Sequence, residues 1–185
     1  RFSQVTGVQT CALPIFKGGL GSASVTLPSG HGVGALVAVN ALGSAIVGDG
    51  PHFWAAPFEL NGEFGGRGVA SQYPDPHFPV TKLAQHANTT IGIVATDAML
   101  TQAQCTRLAT AAHDGFARAL VPSHTPMDGD LIFAAATGAK PLENTVVDTL
   151  TLGHAAATCM ARAIARAVFH ATPASGDTLP CWSAL

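Results

Sequence analysis

The run of small and apolar residues at 33–40 carries Val at alternate positions (Val33, Val37, Val39), and residues 24–27 are short and β-prone. Both segments read as strands buried in a sheet. Between them, Pro28, Ser29, Gly30, His31 and Gly32 supply turn chemistry, so an antiparallel hairpin is expected. Residues 43–87 are rich in Gly, Pro and aromatics without helical or strand period, and read as one long, mobile loop. A connection of that length inside a compact domain points to function or processing. The β-branched run at 90–96 follows, which puts Thr89 at the start of a strand.

Two helices complete the pattern. Thr101 and Gln104 have capping-box spacing, and Leu108, Ala111, Ala112, Gly115, Phe116 and Ala119 recur at helical intervals up to Pro122. Residues 131–136 read as another buried strand. Val146, Val147, Leu150, Ala157, Met160, Ile164 and Val168 mark a second long helix, and the last fifteen residues read as a tail. The order of strands, linker, strand, helix, strand, helix suits an α/β (α+β) fold of stacked sheets covered by helices.

Composition narrows the partners. With 48% apolar residues the 185-residue chain can fill a core, while only 11% of residues are charged and the net charge is -2. That leaves no excess of Lys or Arg to neutralise a phosphate backbone, so no nucleic-acid partner is expected. The strongly apolar stretch at 150–168 is interrupted by His154, Arg162 and Arg166, which are costly at a bilayer centre, so no membrane span is expected. Cys11, Cys105, Cys159 and Cys181 are widely spaced, with no C-x-x-C pair and no His at zinc-ligand spacing beside them. They read as reduced, which favours a cytoplasmic setting. The eight histidines form no recognised ligand set, and neither a metal nor a cofactor is called for.

Residues 5–15 resemble a translated sequencing-adapter oligonucleotide, so residues 1–15 are set aside from the functional reading. With no initiating Met, the gene is expected to begin further upstream, and part of the fold is expected to be missing.

The stretch Asn88, Thr89, Thr90, Ile91, Gly92, Ile93, Val94, Ala95, Thr96, Asp97, Ala98 closely resembles the processing site of the L-aminopeptidase/D-amidase/D-esterase family, which includes β-peptidyl aminopeptidases and nylon-oligomer hydrolases. Three more segments agree in order and separation: residues 16–24 beginning Phe16-Lys17-Gly18-Gly19, residues 33–40 ending in Asn40, and His113-Asp114-Gly115 followed by residues 124–130. The match corresponds to about the C-terminal half of a family precursor. The resemblance implies an αββα layered sandwich of the N-terminal nucleophile type, here incomplete. It also implies cleavage between Asn88 and Thr89, giving an α-subunit part (16–88) and a β-subunit (89–185), and a homo-oligomer of processed heterodimers.

By the same resemblance Thr89 is the nucleophile, Asn40 stabilises the oxyanion, and Lys17, Asp128 and Asp130 complete the polar cluster. Asp128 and Asp130 stand where aminopeptidase members often have Ser and Glu, and the Asn-Thr junction replaces a Gly-Ser junction. Both departures lean toward the nylon-hydrolase-like branch. Met127 stands where many relatives have Phe, at the wall of the substrate pocket.

A Thr hydroxyl is a weak nucleophile that needs an adjacent base, and a free α-amino group, with a reference pKa of about 7.7 to 8.0, can serve at a chain terminus. Cleavage before Thr89 would create that amine. The expected substrate is therefore a small peptide or amide, attacked through an acyl-enzyme. The competing enzyme reading is an ornithine acetyltransferase-like transferase, which shares a Thr nucleophile and a Lys-Gly context. Its Met-rich strand after Lys-Gly and its Met-Leu after the nucleophile are replaced here by Gly21-Ser22-Ala23-Ser24 and Thr90-Ile91. The non-enzymatic alternative is a chain that, without its upstream half, neither cleaves itself nor turns over substrate.

Overall fold

The computed structural model describes residues 15–79, 81–82 and 88–185. The adapter-like segment, apart from Ile15, and Cys11 lie outside the described residues. Strands β1 (Leu20–Thr26) and β2 (Gly32–Asn40) form the expected antiparallel hairpin. Its turn is closed by Gly30 N–H donating to the Leu27 carbonyl at 2.8 Å, with Gly30 at a φ of +82° that a Cβ would disfavour. β3 (Thr89–Ala98) pairs antiparallel with β2, and α1 (Gln102–Ala119) crosses over to β4 (Leu131–Lys140), which lies parallel to β3. A parallel pair needs such a crossover, and α1 provides it. α2 (Thr145–Phe169) completes the main elements, and the sheet order is β1-β2-β3-β4.

Local chemistry sets the helix ends. Thr101 and Gln104 make the reciprocal capping box expected from their spacing. Asn144 accepts from Val146 and Val147 N–H at the start of α2, while the Asp148 carboxylate accepts from Glu143 and Asn144 N–H. The two helices meet at Gly115, where an added Cβ would stand 2.5 Å from the Ala157 carbonyl oxygen of α2. The Ala-rich face of α2 permits that approach, and it places Met160, Ile164 and Ala156 at the centre of the core.

Burial alternates along the strands with period two, as it must when one sheet face is covered. Ala23, Val33, Ala35, Val37, Val94 and Ile132 point into the core beneath the helices. Leu20, Leu36, Ile91, Ile93, Leu131 and Phe133 are exposed on the opposite face. The described residues form one four-stranded sheet with helices on one face, the mixed α/β arrangement expected of an incomplete layered sandwich. An apolar face of this kind marks a surface built to be covered.

Two local expectations change. The described part of the 43–87 loop is packed into the core through Ser44, Ile46, Phe53, Ala55 and Phe64. Phe53 meets Phe64 edge-on at 5.3 Å and lies 5.6 Å from Trp182, which in turn packs 4.8 Å from Phe169. These contacts are scattered in sequence and leave no period to read. The C-terminal segment is likewise no free tail. Pro180 accepts from Lys17 N–H at 2.7 Å, Cys181 is buried, and Trp182–Ala184 forms a short 3-10 turn. β1 and β4 also extend beyond the expected 24–27 and 131–136.

Candidate active site

β2 ends and β3 begins at the same end of the sheet, and their register pairs Asn40 directly with Thr89. Facing residues of an antiparallel pair hold their Cβ atoms about 4.5–5.5 Å apart on one face. Period two places Thr89 on the open face with Ile91 and Ile93, and Asn40 on the same face with Leu36 and Ala38. The nucleophile and oxyanion donor expected from the sequence are thus cross-strand neighbours.

The turn before β4 closes on them from the other side. A β-bridge joins Asn88 to Asp128, and Gly129 N–H donates to the Asn88 carbonyl at 3.0 Å. Thr89 Oγ1 donates to that same oxygen at 2.6 Å. The two carboxylates brace the strand ends. Asp128 accepts from Leu42 N–H at 3.0 Å and from Thr125 Oγ1 at 2.8 Å, while Asp130 accepts from Thr90 N–H at 3.2 Å. A Cβ at Gly129 would sit 2.8 Å from Thr89 Oγ1, so the turn presses its backbone against the hydroxyl.

Lys17 reaches the site, but its ammonium is engaged elsewhere. It lines a cavity of about 540 Å³ together with Asn40, Thr89, Ile91 and Leu179. Its ammonium, however, donates to the Thr172 carbonyl and to Asp177 Oδ2, both at 2.9 Å, rather than balancing Asp128 and Asp130. The folded-back C-terminal segment supplies these acceptors. Among the described residues, Lys82 is a cation that faces the acidic turn, and sequence reasoning missed it. It is 7% exposed, and its Nζ donates to Asn40 Oδ1 at 2.6 Å. Burial pushes its pKa down, partly opposed by the charge of Asp128. Nothing in its local sequence marks it, because it lies in an aperiodic loop and is brought in by Lys82 N–H bonding to the Leu42 carbonyl.

His124 stands at the same turn, though no ligand pattern in the sequence marks it. Its backbone N–H and its Nδ1 both lie 3.1 Å from Asp130 Oδ2, and its Nε2 faces the His113 carbonyl at 3.4 Å. Burial raises the pKa of Asp130, and the neighbouring charge of Asp128 adds to the shift, while N–H donors from His124 and Thr90 work against it. The His113 pKa is lowered by burial and by the adjacent His124.

The family model for peptidase family S58 matches residues 6–179. The chain belongs to peptidase family S58. An uncharacterized aminopeptidase of Mycobacterium tuberculosis is 43% identical over 174 residues, covering 86% of this chain and 50% of that protein. One from Mycobacterium leprae is 38% identical over 177 residues, covering 90% and 48%. This S58 chain therefore spans about half the length of the curated relatives it matches.

Among solved structures, a Burkholderia β-aminopeptidase superposes with a TM-score of 0.51 at 28% identity, covering 83% of this chain and 42% of that one. The L-aminopeptidase D-Ala-esterase/amidase of Ochrobactrum anthropi superposes with a TM-score of 0.53 at 22% identity, covering 90% and 44%. That structure is described as a variant of the N-terminal nucleophile hydrolase fold, and it supports that fold for this S58 chain. The family resemblance read from the motifs is borne out. Among the described residues no helix is long and apolar enough to cross a membrane.

Proposed function

We propose that this S58 chain belongs to a self-processing amidohydrolase or aminopeptidase, cut between Asn88 and Thr89, with Thr89 as its nucleophile. One observation carries the reading: Thr89 Oγ1 and Gly129 N–H converge on the carbonyl oxygen of the bond to be cut, at 2.6 and 3.0 Å. Gly129 would polarise that carbonyl while the hydroxyl attacks its carbon. The Asn88–Thr89 C–N bond breaks, the nitrogen takes up the proton, and an ester to Thr89 remains. Water hydrolyses the ester, leaving a carboxylate on Asn88 and a free amine on Thr89. The subunits would be 16–88 and 89–185.

In turnover, the new amine accepts the Thr89 hydroxyl proton as Oγ1 attacks a substrate amide carbonyl. The Asn40 amide N–H donates to the oxyanion, a donor of the kind worth about 2.7–4 kcal/mol. The leaving amine departs with the proton, and water releases the acyl group. Asp128 and Asp130, already hydrogen-bonded to the strand ends, would hold the ammonium or a substrate amine. The open cavity of about 540 Å³ suits a small peptide or ω-amino amide oligomer. The exposed apolar sheet face would pack on a second sheet from the other half of the family length, giving the αββα sandwich.

Mass spectrometry of the protein expressed at the full length of its family should find a fragment beginning at Thr89. Thr89→Ala should stay intact and leave amino-acid p-nitroanilides untouched. A Thr89→Ala protein that still splits at this bond refutes the reading.

A further inference from the structure

A buried lysine next to the oxyanion donor has no place in the chemistry described so far. Lys82 carries only donors, so the atom it contacts on Asn40 at 2.6 Å must be the carbonyl oxygen of the amide. This contact fixes which way the amide points. With Oδ1 held by the ammonium, the NH2 end is directed to the other side of the Asn40 side chain, and Asn40 is the cross-strand partner of Thr89.

We infer that Lys82 is a positioning residue, which orients and polarises the Asn40 amide so that its N–H donates to the oxyanion formed at Thr89. This rests on the proposed role of Thr89 and deepens it. Three features support the assignment. The lysine is anchored at both ends, since its backbone N–H bonds to Leu42 two residues beyond Asn40 while its Nζ holds Asn40 itself. It is almost fully withdrawn from water, where a charge strengthens the dipole of the amide it touches far more than at a surface. Its charge is balanced by Asp128, whose Oδ1 binds the Leu42 N–H, so cation, amide and carboxylate converge on the end of β2. The Lys17 ammonium is instead tied to Asp177.

The test is a double-mutant cycle in the protein at full family length, read by p-nitroanilide turnover and by the rate of Asn88–Thr89 cleavage. Asn40→Ala should lower kcat by about 10²- to 10³-fold. Lys82→Met should lower kcat by about 10- to 100-fold with KM nearly unchanged, because the oxyanion exists only in the transition state. In the Asn40→Ala background, Lys82→Met should cost nothing further, since its effect passes through the amide. Lys82→Arg, which keeps the charge and the donors, should retain most of the activity. Thermal unfolding of each variant separates a lost fold from a lost orientation.

Full kcat in Lys82→Met overturns the inference. A Lys82→Met loss that multiplies the Asn40→Ala loss overturns it as well. Neither outcome touches the role of Thr89, which fails if Thr89→Ala still splits at Asn88–Thr89 or stays active.

Discussion

Gly129→Ala isolates the junction between the acidic turn and the nucleophile. A methyl at this position would stand 2.8 Å from Thr89 Oγ1, 3.5 Å from Cγ2 and 3.6 Å from Cβ. Real Cβ atoms essentially never approach another atom closer than 3.0 Å, so the hydroxyl or the turn must yield by several tenths of an ångström. The turn is held by the Gly129–Asn88 hydrogen bond and by both aspartates, so the hydroxyl is the softer partner. Twisting χ1 by about 30° costs about 0.5–1.5 kcal/mol, equivalent to about 2- to 10-fold in rate. Jumping to the next staggered well moves Oγ1 by about 2 Å and takes it off the Asn88 carbonyl. A misplacement of about 1 Å can already cost about 100-fold. Cleavage at Asn88–Thr89 should therefore slow by about 10- to 100-fold, while Tm changes little because the clash lies at a strand end beside the exposed Gly129 turn. Time-resolved mass spectrometry of the freshly expressed protein measures the rate. Processing of Gly129→Ala at the wild-type rate would show that the pressed geometry plays no part in positioning Thr89.

The same structure makes other outcomes measurable. Glu63 accepts from Arg162 at 2.5 and 3.0 Å and from Arg166 at 3.0 Å, in a nearly buried cluster. Glu63→Gln leaves Arg162 unneutralised and should cost about 3–5 kcal/mol. At about 2–4 °C per kcal/mol, calorimetry should record a Tm drop of about 6–20 °C. Burial works to raise the Glu63 pKa, but the hydrogen bond and charge of Arg162, with help from Leu60 N–H and Arg166, hold it below its ordinary value of 4.5. Its stabilisation is thus complete above that value and lost as pH falls through the lower folded value, so wild type and Glu63→Gln should converge in stability in acid. Gly115→Ala should destabilise by about 2 kcal/mol. Its Cβ meets the α2 backbone at 2.5 Å, and overpacking of about 1–3 kcal/mol or more exceeds the roughly 1 kcal/mol gained in helix propensity. A Tm equal to or above wild type would contradict that close approach.

Much of the fold was legible because it is written in short-range terms. The β-branched run after Asn88, the Thr101 capping box and the periodic faces of both helices depend on neighbours within about four residues. The order of the elements and the placement of Thr89 at a strand start follow from them. The family motifs named Asn40, Asp128 and Asp130, and the structure brings all three to the end of the sheet beside Thr89. The motifs also named Lys17, which lines the cavity with Asn40 and Thr89, but its ammonium goes to Asp177, on a segment that reads in sequence as a tail.

What tertiary structure alone decided are the contacts between residues far apart in the chain. The register that pairs Asn40 with Thr89, the carbonyl of Asn88 against Gly129 N–H, and Lys82 on Asn40 all depend on how the sheet, the loop and the turn before β4 pack together. Residue type dictates which hydrogen bonds a side chain can make, but not which partner reaches it. A lysine in an aperiodic loop reads as solvated until packing withdraws it from water. That the sheet keeps one apolar face uncovered follows from the same cause: alternation makes two faces, and only the placement of the helices determines which is buried.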